Sequence, residues 1–188
     1  MFRLLMLFLA CLCSLPVIAG ENDARLRFSA SLIGEGLVLS DVDEDELVPD
    51  AYRQYGFSSG SGHEVKLTFP TAAGLYLNLA QMRTVTEGGA MTNRFRHASV
   101  GASLRGNPMA SNPAVYGLVE AGVGGCEFES PSLDRPRHFG LAELGLEIGV
   151  QTEAGPFIGA GVKWVVIGYP TETVANSLIP KLVIGVAF

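Results

Sequence analysis

Cysteine is scarce in this chain and poorly placed for building structure. There are 3 Cys. Cys11 and Cys13 lie near the N-terminus and Cys126 stands alone beyond them, so no internal disulfide can staple the body of the protein. Long apolar runs are missing as well. Past the N-terminal stretch no segment reaches the ~18–20 apolar residues that a membrane-spanning helix requires. Positive charge is also short: 13 Lys and Arg face 19 Asp and Glu, a net charge of −6. That balance disfavours nucleic acid and anionic lipid surfaces as electrostatic partners. The three histidines, His63, His97 and His138, have no metal-ligand spacing. Phosphate-binding glycine loops, zinc motifs and nucleophile elbows are likewise lacking. Nor is there a convincing helical period, because 23 Gly and 10 Pro are scattered through the apolar segments.

What is present begins with a leader. Met1–Arg3 supplies a short basic region, Leu4–Leu15 is almost uninterruptedly apolar, and Val17-Ile18-Ala19 offers residues suited to a signal-peptidase site. Cleavage after Ala19 divides the chain into a signal peptide, 1–19, and one domain, 20–188. A lipoprotein site at Cys11 fits less well, since it shortens the apolar region and puts Phe8 at the −3 position.

The remainder carries eight segments of period-two alternation, near 25–33, 63–69, 73–82, 94–105, 114–125, 139–150, 157–168 and 178–188. In the sixth, Leu144, Leu146, Ile148 and Val150 oppose Glu143, Gly145, Glu147 and Gly149. The links at 70–72, 106–112 and 151–155 are short; those at 34–62, 83–93, 126–138 and 169–177 are mostly longer. A chain that crosses a bilayer with strands must close them into a barrel, because lipid leaves edge backbone groups unpaired. The expected fold is therefore all-β: a single eight-stranded antiparallel up-and-down transmembrane barrel, with short periplasmic turns and longer extracellular loops. A soluble lipocalin-like barrel carrying a lipid in its core has the same alternation turned inside out. The polar face here is mostly Gly, Ala and Ser, which suits a narrow filled lumen rather than a solvated surface.

The last segment, L-I-P-K-L-V-I-G-V-A-F, places Leu182, Ile184, Val186 and Phe188 on one face and ends on an aromatic. It resembles the closing strand of bacterial outer-membrane barrels. The whole pattern is similar to the small barrel superfamily that includes the OmpA transmembrane domain, OmpX and OmpW. The resemblance implies an outer-membrane location, Phe188 as the signal read by the barrel assembly machinery, and outer-membrane lipids with lipopolysaccharide as surroundings.

Parity points Arg27, Lys66, Glu120, Glu143, Glu147, Lys163 and Lys181 inward, with Tyr76, Asn78 and His97. A charged residue facing mid-membrane lipid costs about 2–4 kcal/mol, which fixes that choice of face. A turn at Gln151–Gly155 centred on Glu153 would set Glu143 directly across from Lys163 as an ion pair. On the outward parity at the extracellular end, Arg94 and Arg96 are candidates to meet lipopolysaccharide phosphates. Trp164, Tyr169, Phe69, Phe139 and Phe157 fit aromatic girdles. The run Asp41–Glu46 begins like a calcium loop but has Glu46 where Gly belongs and Tyr52 where the closing Glu belongs, so it reads as a solvated acidic loop. Cys126, at the start of a loop, reads as a free thiol. The string Phe95-Arg96-His97-Ala98-Ser99 resembles the His/Ser stretch of outer-membrane lipid A deacylases. It lies on the fourth strand rather than near the C-terminus, and His97 and Ser99 face the lumen rather than lipid. The expectation is a non-enzymatic barrel without cofactors, its lumen filled by ion pairs, acting through its loops or in envelope integrity. A narrow channel for small or apolar solutes and a lipid A-modifying enzyme are the alternatives.

Overall fold

The computed structural model describes residues 25–34, 37–40, 60–70, 74–85, 92–109, 111–129, 134–168 and 175–188. The leader, the acidic run Asp41–Glu46 and Tyr169 lie outside them. Every element assigned among them is a strand: β1 Arg27–Ile33, β2 Leu37–Ser40, β3 Gly60–Thr68, β4 Tyr76–Val85, β5 Thr92–Gly106, β6 Val115–Glu129, β7 Arg137–Gln151, β8 Pro156–Ile167 and β9 Ala175–Ala187.

Neighbouring strands pair antiparallel from β1 through β3 to β9, and β9 pairs back onto β1 to close the ring. The short β2 sits further along the same edge of β9: Ile33 of β1 lies opposite Lys181, and Leu37 of β2 opposite Leu178. β1 and β2 thus share one stave, and the barrel has eight strand positions in a 9-stranded sheet. The sequence pattern predicts a loop over 34–62. The structure instead continues the stave to Ser40 and starts β3 at Gly60. β4, β5 and β6 likewise run past their expected extracellular ends. Beyond the apolar belt the outward residues become polar (Arg83, Arg94, Glu129), so the hydrophobic period stops while the backbone ladder goes on.

The register fixes the barrel's shear. A hydrogen-bonded row starting at His138 passes through Glu127, Arg96, Gln81, His63, Leu32, Leu182 and Ala160, and returns to β7 at Ile148, ten residues on. Strands so staggered are tilted by about 40°.

The faces are inverted relative to a soluble protein. Leu32 is 68% exposed, Leu79 64% and Leu182 62%, whereas Glu64, Lys66, Glu120, Glu143, Lys163 and Lys181 are buried inside. A lipocalin-like carrier needs the opposite orientation, and the structure overturns that alternative. A closed barrel with an apolar exterior and a polar filled interior is the architecture of an outer membrane.

One hairpin corrects the expected register. Thr152 N–H donates to Pro156 O at 2.9 Å and Gly155 N–H to Thr152 O at 3.0 Å, with Gly155 at φ 109°. The turn therefore centres on Ala154 rather than Glu153, and Glu143 lies across from Val165 while Lys163 lies across from Gly145. Gly155 decides this: a three-residue loop closes on a position with positive φ, which glycine takes without strain.

Candidate functional site: the barrel interior and its extracellular rim

The interior is stratified. Toward the periplasmic turns, Tyr116, Leu118, Phe157 and Val183 form a small cluster. The Arg27 guanidinium lies 4.3 Å from the Phe157 ring centre and 5.1 Å from that of Tyr116, and Arg105 stacks 4.8 Å from Tyr116. Two tiers of ion pairs fill the middle. Toward the loops, Ile33, Met82, Phe95, Phe128, Leu141, Val165, Ile167 and Ile179 pack into an apolar plug together with Ala80 and Cys126. Each layer comes from inward positions of several strands, so no one segment encodes it.

In the tier nearer the periplasm, Glu120 takes Lys66 on one oxygen and Lys181 on the other, the latter at 3.0 Å. Lys181 also reaches Glu147 at 3.2 Å, whose second oxygen accepts the Tyr116 hydroxyl at 2.7 Å. In the next tier Lys163 bridges Glu64 and Glu143, the second at 3.3 Å. Glu143 Oε1 accepts the hydroxyls of Tyr76 at 2.9 Å and Ser99 at 2.7 Å. Asn78 donates to Glu64 at 3.2 Å and to Ser99 Oγ at 3.2 Å. Four carboxylates thus face three lysines and Arg27 in the buried interior. Near-neutrality is what a dry site demands, since an unpaired buried charge costs several kcal/mol. The tiers fit because the wall gives way: a Cβ on Gly122 would stand 2.3 Å from the Tyr76 hydroxyl and 3.1 Å from Glu143 Oε1.

All six charges expected to share the lumen (Lys66, Glu120, Glu143, Glu147, Lys163 and Lys181) are in this network. Glu64 was not among them, though it shares the parity of Lys66 and is only 1% exposed. Tyr116 was missed in the same way, and the parity of Glu120 would have found it. His97 and Ser99 both lie near one acid, Glu143. Ser99 donates directly to Glu143, and His97 Nε2 contacts Asn78 at 3.3 Å and stands 3.7 Å from Glu143. The Ser99 hydroxyl hydrogen therefore points to Glu143 and not to the His97 imidazole.

No protein-family profile matches the chain, and no curated sequence is detectably similar to it. Solved structures are similar in fold. The N-terminal β-barrel domain of Pseudomonas aeruginosa OprF aligns over 88% of this chain and 98% of its own, with 12% identity and a TM-score of 0.52. Neisserial surface protein A (NspA) aligns over 88% of this chain and 97% of its own, with 10% identity and a TM-score of 0.55. This chain has the eight-stranded outer-membrane barrel fold.

Several residues of this outer-membrane barrel sit elsewhere than expected. Phe157 points into the lumen under Arg27 instead of joining a girdle, and Phe139 packs against the plug. Trp164 and Phe69 face outward, the latter 38% exposed. Cys126 belongs to β6, not to a loop. It is a buried free cysteine whose thiol faces Phe139 O at 3.6 Å, a position closed to an intermolecular disulfide. Arg94 and Arg96 are on the outer face as expected, but each is held by a cross-strand carboxylate: Arg94 by Glu129 at 3.2 Å and Arg96 by Glu127 at 3.0 Å. Phe188 is 71% exposed, and its N–H donates to Leu26 O at 2.9 Å at the barrel seam. Among the described residues no group of His, Cys, Asp and Glu could hold a metal.

Proposed function

We propose that the chain is a non-enzymatic outer-membrane protein whose lumen is a structural filling, and that it acts through its extracellular loops or in envelope integrity. One observation carries this reading: the ion-pair tiers are capped toward the loops by a continuous apolar plug that includes Met82, Phe95, Phe128 and Leu141. An ion crossing that level would lose its hydration with no polar group to replace it. Conduction would therefore require the plug and both tiers to open together. The closing strand β9, with Phe188 at its end, serves as the segment recognised by the assembly machinery.

The test is electrical and chemical. The purified protein, shown to be folded by its heat-dependent shift on an SDS gel, is placed in planar bilayers. No stepwise conductance is expected. Conductance that changes on substitution of Glu143 or Lys163 would establish the narrow channel instead. Lipid A from cells overexpressing the protein is expected to be unaltered; an alteration that disappears with Ser99→Ala would make it an enzyme.

A further inference from the structure

The outer wall of a membrane barrel is apolar where it meets hydrocarbon, and over β3–β7 this wall is interrupted. His63, Gln81, Arg96, Glu127 and His138 lie opposite one another in a single hydrogen-bonded row on the outward parity. The next outward row toward the loops is Ser61, Arg83, Arg94 and Glu129. Because the barrel is sheared, the first row descends from β7 to β3 by roughly 3 Å per strand along the barrel axis. It starts at the extracellular rim with His138 and ends beside the apolar belt with Gln81 and His63.

This face has a shape and a charge. A groove of about 710 Å³ runs over the row: Ala98 and Gly125 form its floor, Val65 and Leu79 its apolar side, and Arg96 and His138 part of its polar edge. The floor is open, since a Cβ on Gly125 would approach nothing nearer than Phe139 O at 3.8 Å. Among the described residues at the rim of β4–β7, five arginines (83, 94, 96, 135 and 137) stand with Glu127, Glu129 and Asp134, on a chain whose net charge is −6. The arginines are oriented, not spent. Arg96 is braced by Glu127 at 3.0 Å and Glu129 at 3.8 Å, and Arg94 by Glu129 at 3.2 Å, while the two arginine side chains stay 48% and 37% exposed. A guanidinium has five N–H donors, so a carboxylate on one side leaves the others free to take a phosphate.

We propose that this face binds one phosphorylated lipid of the outer leaflet, its phosphate on Arg94 and Arg96 and an acyl chain along Ala98 and Gly125. The inference rests on the reading of the chain as an outer-membrane barrel. Amphipathic shape selects this occupant: a free phosphate would leave the apolar floor bare, and a purely apolar ligand would offer no acceptor to the exposed guanidinium donors that Glu127 and Glu129 leave over. The groove also lies within the ~300–1,000 Å³ of small-molecule sites.

The experiment is native mass spectrometry of the full chain in detergent, titrated with bisphosphorylated lipid A and with the same lipid after removal of its phosphates. A heat-shift gel on every sample reports barrel folding separately. Saturable binding of one phosphorylated lipid is expected, with the dephosphorylated form about tenfold weaker, as loss of charge-assisted hydrogen bonds implies. Arg94→Gln/Arg96→Gln is expected to abolish that preference. Gly125→Leu, which fills the groove without touching the lumen, is expected to weaken both lipids. Equal affinity for the two lipids would overturn the proposal, as would displacement of the lipid by millimolar inorganic phosphate. So would an absence of binding in samples that show the heat shift. Samples with no heat shift in the wild type would refute the barrel reading itself.

Discussion

Replacing Lys163 by Met tests whether the interior is held by charge neutrality. The Lys163 ammonium serves two carboxylates whose side chains are 0% and 2% exposed, Glu64 and Glu143. Without it both stay in a dry interior. Glu143 keeps the hydroxyls of Tyr76 and Ser99, while Glu64 keeps the Asn78 amide. Removing one partner of a buried pair costs about 3–5 kcal/mol, because the other charge is left uncompensated. Most of that loss should lie at Glu64, the carboxylate with fewer remaining donors. Lys163→Met is therefore expected to destabilise the barrel by about 3–5 kcal/mol, and adding Glu64→Gln to recover about half of it. The assay is equilibrium urea unfolding in lipid vesicles, followed by the fluorescence of Trp164, the only tryptophan and the neighbour of the mutated residue. If Lys163→Met unfolds within about 1 kcal/mol of the wild type, the pair behaves as a solvated one and the dry, charge-balanced lumen is refuted. Additive losses in the double variant would equally refute it.

Other substitutions probe the wall and the turn. Tyr76→Phe removes one donor from Glu143, and a loss of about 1–3 kcal/mol is expected in the same unfolding assay. Gly122→Ala sets a methyl against the Tyr76 hydroxyl and Glu143, so it should destabilise by about 1–3 kcal/mol, and Tyr76→Ala in the same chain should relieve part of the loss. Gly155→Ala forces a side chain onto positive φ with its Cβ 2.2 Å from Ala187 O. A loss of about 1–3 kcal/mol is expected there, and a neutral result would mean that the hairpin can close on another register. Truncation of Met82 and Phe128 to Ala should leave a folded barrel that shows ion conductance absent in the wild type, and continued silence would place the seal in the ion-pair tiers instead.

Much of this molecule is legible in its sequence because inward and outward facing is a local property. Lys66, Glu120 and Glu143 are inward, and Leu79, Leu146 and Leu182 outward, by a period-two rule that needs no knowledge of neighbouring strands. The same rule would have placed Glu64 and Tyr116. It failed at the extracellular ends, where outward residues turn polar and the strands of the described barrel continue without a hydrophobic signature.

The sequence by itself determined eight staves, their alternation of faces, and which charges must share the interior. Only the tertiary structure decided which charge meets which. Lys163 and Glu64 are 99 residues apart and touch across the lumen, not along a strand pair. That contact depends on a turn closing at Gly155 and on a shear accumulated around the closed ring. Register and shear are properties of closure. A one-residue change in a single hairpin, such as the shift of the turn centre from Glu153 to Ala154, moves every partner of that strand pair by two and changes the shear of the ring, and no local pattern records it.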